Sequence, residues 1–143
     1  MIVSFDFDNT LTVSVWCPKE WDFVHFGPNL VMVQCIRAHL KNGNEVHIVT
    51  SRKESVESRD EIGQFLKEHD LFSHVAGIHF SNGAFKAKCL ETLGVERHHD
   101  DDECEINALR DNCEGVLVKN GFINFSGNVC DPFDPCFHHD NSP

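Results

Sequence analysis

A chain of 143 residues and 16.2 kDa has room for one compact domain at the usual ~100–200 residues each. Hydrophobic residues at 41% and charged residues at 24% lie near globular averages, which favours neither intrinsic disorder nor a fibrous repeat. Twelve Lys and Arg against 23 Asp and Glu give a net charge of −11, which counts against an electrostatic grip on a long polyanion and favours small substrates or metal ions.

Residues 2–7 form a short apolar run with Asp entering at its end, and they read as a buried first strand. Residues 11–27 show no helical period and predict a small hairpin or flap. Gly27-Pro28 then predicts a helix with Pro at its first position, with Leu30, Val33, Ile36 and Leu40 at helical spacing and Asn42-Gly43 as the stop. Residues 45–50 are a second strand. Ser51-Arg52-Lys53-Glu54 has the form of a capping box, so the next helix is expected to start there and run to about residue 69, burying Val56, Ile62, Phe65 and Leu66. Residues 75–80 are a third strand, Ser81-Asn82-Gly83 a turn, and residues 84–93 a helix closed by Gly94. A fourth, unusually polar strand covers 95–99, a helix 102–113 and a fifth strand 115–118. Asn120-Gly121 predicts a closing hairpin between residues 116–118 and 122–125, followed by an irregular tail at about 126–143. Strands alternating with helices predict an α/β domain: a central five-stranded parallel sheet in a Rossmann-like three-layer sandwich.

The opening residues lack a basic n-region and a long apolar run, so no signal peptide is expected, and no stretch approaches the ~20 apolar residues of a membrane span. The seven cysteines are an odd number without a CxxC pair, which points to a reducing, cytoplasmic setting. A dense patch between Cys130 and Cys136, followed by His138 and His139, offers zinc-type ligands. Its spacing matches no strong zinc pattern, and exposed terminal side chains are the simpler reading.

In a doubly wound sheet the ligand crevice lies at the carboxyl ends of the strands. Asp6 and Asp8 follow the first strand, Thr50 the second, Lys86 the third and Asp100-Asp101 the fourth. A lone acid beside a strand is usually a helix cap or a solvated turn, but the joint placement of acids, hydroxyl and amine at one end is unlike chance. The chemistry these groups permit is phosphoryl transfer. Converging carboxylates repel unless a hard cation joins them, and oxygen-only ligands point to Mg²⁺ over zinc. One carboxylate is then available to attack phosphorus and another to manage the proton, while Lys86 neutralises phosphate oxygens. Thr50 and the N–H groups opening the helix expected at Ser51 are an anion site for the same phosphate.

The run Phe5-Asp6-Phe7-Asp8-Asn9-Thr10-Leu11-Thr12 resembles the DxDxT motif of the haloacid dehalogenase-like (HAD) superfamily. His47-Ile48-Val49-Thr50-Ser51-Arg52 resembles its second motif, Asn82-Gly83-Ala84-Phe85-Lys86 its third and His99-Asp100-Asp101-Asp102 its acidic fourth, in family order over about residues 2–106. The resemblance implies a HAD-type fold, Mg²⁺ dependence and an aspartyl-phosphate intermediate. It implies that Asp6 is nucleophile and metal ligand, and that Asp8 is general acid, then base, with its backbone carbonyl on the metal. Asp101, with Asp100 beside it, would complete the metal site. Asn9, Thr10, Thr50, Ser51, Arg52 and Lys86 are the implied substrate-binding residues, with Arg52 equally readable as a solvated helix-start arginine. Lys88 is a weaker substitute for Lys86, and Glu105 reads either as an outer metal group or, preferably, as part of a helix cap with Asp102.

Neither inter-motif gap holds a large cap domain, which resembles HAD phosphatases acting on bulky phosphates, among them the phosphatase portion of polynucleotide kinase-phosphatases. A nucleotide or nucleic-acid terminal phosphate is therefore the leading substrate class, with sugar phosphates and phosphoproteins as alternatives. Trp16, Trp21, Phe23 and Phe26 in the flap either stack on a base or close one end of the core. Three other classes compete: a phosphorelay receiver, whose motif order differs; a two-metal nuclease, in which Lys86 has no necessary place; and a non-catalytic or metal-binding module.

Overall fold

The computed structural model describes the backbone of residues 1–119 and 122–123 and, within these, all side chains except those of Val15, Trp16, Asp22, Phe23, His25, Phe26, Phe122 and Ile123. The elements in chain order are β1 (Ile2–Phe5), β2 (Thr12–Cys17), β3 (Asp22–Pro28), α1 (Leu30–Lys41), β4 (Glu45–Thr50), α2 (Val56–Glu68), β5 (Gly77–Phe80), α3 (Ala87–Leu93), β6 (Arg97–Asp100), α4 (Glu103–Asn107), β7 (Glu114–Leu117) and β8 (Phe122–Ile123). Five strands form a parallel sheet in the order β5-β4-β1-β6-β7. The chain moves outward one way from β1 through β4 to β5, then returns to β6 and moves outward the other way. That reversal, between β1 and β6, is where open α/β sheets bind ligands.

Alternation along each strand sends opposite side chains to opposite helix layers. Val3 and Phe5 of β1 join Val46 and Ile48 of β4, Val33 and Ile36 of α1, and Ile62 and Leu66 of α2 in the larger core. On the other face Val49 packs with Leu90 of α3 and with Val95, flanked by Ile2 and Leu109. The expected α/β sandwich with helices on both faces is therefore present.

The flap is a second sheet of order β3-β2-β8, with β2 and β3 antiparallel. Here the expected closing hairpin is corrected. β8 pairs in parallel with Ser14 and Val15 of β2, while β7 pairs with β6, so the segment after β7 crosses to the flap. The tail at 124–143, with its Cys/His patch, lies outside the described residues.

Three helix starts also differ from expectation. Pro28 ends β3, and Asn29, in an extended conformation, caps α1 by accepting from the Met32 N–H. α2 begins at Val56, five residues after Ser51, because residues 51–54 are tied to the 81–83 turn. Gly83 N–H donates to the Ser51 carbonyl at 2.8 Å, and Glu54 N–H donates to Asn82 Oδ1 at 2.8 Å. Ser55 is the cap, accepting from Ser58 N–H at 3.0 Å, and Val56 is consequently exposed. α3 begins at Ala87, after the 81–86 turn, and ends as expected on Gly94, whose φ of 74° is left-handed. α4 stops at Asn107 instead of reaching residue 113.

Candidate active site

Register brings the first and fourth motifs together. Phe5 of β1 pairs with His99 of β6, and the Asp6 N–H donates to the His99 carbonyl at 2.9 Å, so Asp6 and Asp100 emerge side by side. Both face the α3 layer, from whose N-terminal edge Lys86 reaches in. Lys86 Nζ donates to Asp6 Oδ1 at 2.8 Å and to Asp100 Oδ2 at 2.6 Å, and Lys86 is 2% exposed. Lys88, by contrast, is exposed. The Thr10 hydroxyl lies 3.0 Å from Asp6 Oδ2 and 3.2 Å from Asp101 Oδ1, bridging the first and fourth motifs.

The charges in this pocket do not balance. Asp6, Asp100 and Asp101 each place a carboxylate oxygen within 4.8 Å of the others, against one ammonium group. Fully ionised, they leave two negative charges, the complement of one divalent cation. Burial pushes Asp6 well above the ordinary carboxylate range, with Asp100 adding to the rise and Lys86 opposing it. Asp101 is likewise raised, first by burial, and its carboxyl is in hydrogen-bonding reach of Asp6. Asp100 moves the other way. Burial alone would raise it, but the His98 hydrogen bond and the Lys86 charge outweigh that and lower it. Lys86 itself is raised, because its two carboxylates overcome the desolvation that would lower it. A proton or a cation between Asp6 and Asp101 would relieve this repulsion. Their all-oxygen donor set fits a hard ion such as Mg²⁺.

The surroundings separate the acidic pair. Asp100 has both oxygens engaged: Oδ1 accepts from Asp102 N–H at 3.0 Å, and Oδ2 accepts from Lys86 and from His98 Nε2 at 2.8 Å. Asp101 is partly exposed beside Asp6, with Oδ1 accepting from the Thr10 hydroxyl. The Asp8 side chain is not in the acidic group. It is clamped by Arg52, with Nε donating to Oδ2 at 2.8 Å and Nη2 to Oδ1 at 2.7 Å. Arg52 also reaches Glu61 at 2.6 Å and lies over the Phe7 ring, so its reading as a merely solvated arginine is not sustained.

Thr50 is buried at the carboxyl end of β4, and its hydroxyl accepts from the Arg52 N–H at 3.2 Å. Since no helix begins at Ser51, the anion site expected from helical N–H groups there is corrected to a loop. Ser51 is exposed in it, with its carbonyl held by Gly83. Asn9 adopts a left-handed φ of 62°. Its N–H donates to Thr12 Oγ1 and its Oδ1 accepts from Ser14, so it builds the turn that swings Thr10 back onto Asp6.

Ser4 and His98 escaped the sequence reading, and Glu105 makes a contact that reading did not assign. The fully buried Ser4 hydroxyl contacts His98 Nδ1 at 2.7 Å, and His98 Nε2 holds Asp100, a polar column beneath the carboxylates. Glu105 is not part of the α4 cap. Its Oε1 accepts from the Lys86 N–H at 3.0 Å, whereas Asp102 caps α4 through Cys104 N–H. The signal for the column was present in the polar His98-His99 pair of an otherwise buried strand. Trp21 in the flap is 81% exposed, so it does not close the core; the side chains of Trp16, Phe23 and Phe26 lie outside the described residues.

A scan against protein-family models finds no match for this chain, and a search of curated proteins finds none. Among the described residues no helix is long and apolar enough to cross a membrane, and five cysteines are free.

Proposed function

We propose that the chain is a Mg²⁺-dependent phosphomonoester hydrolase of the HAD type, working through a phosphorylated Asp6 in a reducing, cytoplasmic setting. The observation that carries this reading is Lys86 Nζ seated between Asp6 and Asp100 while Asp101 crowds the other side of Asp6. Asp6 and Asp101 would hold the cation, with Asp100 supporting from behind Lys86. When bound, Mg²⁺ supplies positive charge against the phosphate oxygens.

In the first half-reaction an Asp6 oxygen attacks phosphorus, the ester P–O bond breaks, and the departing alcohol oxygen takes a proton from Asp8. In the second, Asp8 accepts a proton from water and the water oxygen attacks phosphorus. The bond to Asp6 then breaks and inorganic phosphate leaves. Asp8 cannot serve while it accepts two hydrogen bonds from Arg52. A substrate phosphate that draws Arg52 to itself frees Asp8, so binding and proton transfer are linked.

The small three-stranded flap favours a phosphate at the end of a bulky group, and a nucleotide or nucleic-acid terminal phosphate is the substrate class we infer. The test is hydrolysis of an aryl phosphate with and without Mg²⁺, followed by a screen over nucleotides, 3′- and 5′-phosphorylated oligonucleotides, sugar phosphates and phosphopeptides. Turnover lost in Asp6→Asn supports the reading. A metal-dependent nuclease activity that survives Asp6→Asn would replace it with the two-metal alternative.

A further inference from the structure

On the opposite face of β6 from the acidic site, Cys35 and His39 of α1 lie one helical turn apart and face His99. One ligand atom from each of the three lies within 4.8 Å of the other two, with Cys35 Sγ 3.9 Å from His99 Nε2. In a tetrahedral zinc site, Zn–S of about 2.3 Å and Zn–N of about 2.0–2.1 Å place sulfur and nitrogen about 3.5 Å apart. The Cys35–His99 spacing therefore needs only a small side-chain adjustment, and the His39 ligand atom lies within 4.8 Å of both.

The histidine is prepared for this role. His99 Nδ1 lies 3.0 Å from the Ser4 carbonyl, which can only accept, so Nδ1 carries the proton and Nε2 presents its lone pair toward the sulfur. A hydrogen bond from the distal ring nitrogen to a backbone carbonyl is how ligating histidines are commonly oriented. The ring is also stacked flat on Phe5, with centroids 4.0 Å apart and planes 6° apart. Asn44 Nδ2 lies 2.9 Å from His39 Nδ1, and its Oδ1 accepts from the Met1 ammonium at 3.3 Å. Cys35 and His39 are both partly exposed, which gives an ion a way in.

We infer that Cys35, His39 and His99 form a second metal site, selective for a borderline divalent ion such as Zn²⁺ and distinct from the all-oxygen site at Asp6. Thiolate and imidazole donors disfavour Mg²⁺, so the two sites sort their ions by ligand chemistry. Three protein ligands leave a fourth position for solvent. The loaded site would pin α1 to β6, the strand that presents Asp100 and leads into Asp101. The inference stands apart from the phosphatase reading, because neither the ligands nor the test involves phosphate.

The test is titration of chelator-treated protein with Co²⁺, followed by its near-ultraviolet thiolate charge-transfer band and visible d–d bands. One equivalent should give both, Zn²⁺ should displace them and excess Mg²⁺ should not. Cys35→Ser should remove that equivalent with its charge-transfer band. His39→Ala, at a partly exposed position, should weaken binding at least tenfold with the fold intact by circular dichroism. Asp6→Asn should leave the band unchanged. Absence of a thiolate band in the wild type, or an undiminished band in Cys35→Ser, would overturn the site.

Discussion

Lys86 Nζ rests 2.8 Å from Asp6 Oδ1, and the pair is almost wholly removed from solvent. A buried ammonium that loses its partner, or the reverse, costs about 3–5 kcal/mol. Lys86→Ala should therefore abolish turnover and also lower the denaturation midpoint, whereas Lys88→Ala should do neither. Chemical denaturation of both variants beside the aryl-phosphate assay checks this, and loss of activity in Lys88→Ala alone would reverse the assignment.

The Arg52–Asp8 clamp separates binding from chemistry. Asp8→Asn removes the proton-transfer group while leaving Asp6, Asp100, Asp101 and Lys86 in place, so kcat should fall roughly 10²–10⁴-fold. Arg52→Ala should instead act mainly on KM, since Asp8 is released but the phosphate loses a guanidinium partner. Steady-state kinetics on the two variants distinguish these outcomes, and full activity in Asp8→Asn would contradict the role given to Asp8.

Glu105 acts at one remove. Its carboxylate accepts the Lys86 N–H at the start of α3. Glu105→Ala should cost about 0.5–2 kcal/mol, as the loss of a cap does. It should also lower kcat by loosening the placement of Nζ, and Glu105→Gln, which keeps an acceptor oxygen, should recover most of both. Failure of the glutamine variant to recover either would mean that the charge, and not the hydrogen bond, matters.

A separate pH effect is expected at the sheet edge. The His79 ring contacts His47 Nδ1 at 2.9 Å, and Gly77 leaves it room, since a Cβ there would lie 2.9 Å from His79 Nε2. Burial, then His47 and Arg59, lower the His79 pKa in the folded chain. The unfolded chain therefore binds the proton first as pH falls. The stability contributed by neutral His79 is present above its unfolded pKa of about 6.5 and is lost as pH drops through that value toward the lower folded one. Denaturation midpoints at about pH 7.5 and pH 5.5 should fall more in the wild type than in His79→Asn. Equal losses would remove His79 as the cause.

The parallel sheet and the grouping of Asp6, Lys86 and Asp100-Asp101 were legible because they follow from short-range patterns. Apolar runs of strand length end in acids, and the topology carries those ends to one side. Helix starts were less legible. The Ser51 capping box competed with Ser55, and the contacts that decided for Ser55 come from Asn82 and Gly83, about 30 residues away. The pairing of β8 with β2 is similarly long-range, and Asn120-Gly121 alone favours a local hairpin. The Arg52 clamp on Asp8 and the Glu105 contact with Lys86 depend on side-chain directions, which no spacing rule supplies.

The most direct measurement is acid quenching during turnover, reduction with borohydride and peptide mass spectrometry, because an acyl phosphate is reduced to the alcohol. The account predicts homoserine at position 6, dependent on Mg²⁺ and substrate. Measurable phosphatase turnover with Asp6 left unmodified would contradict it.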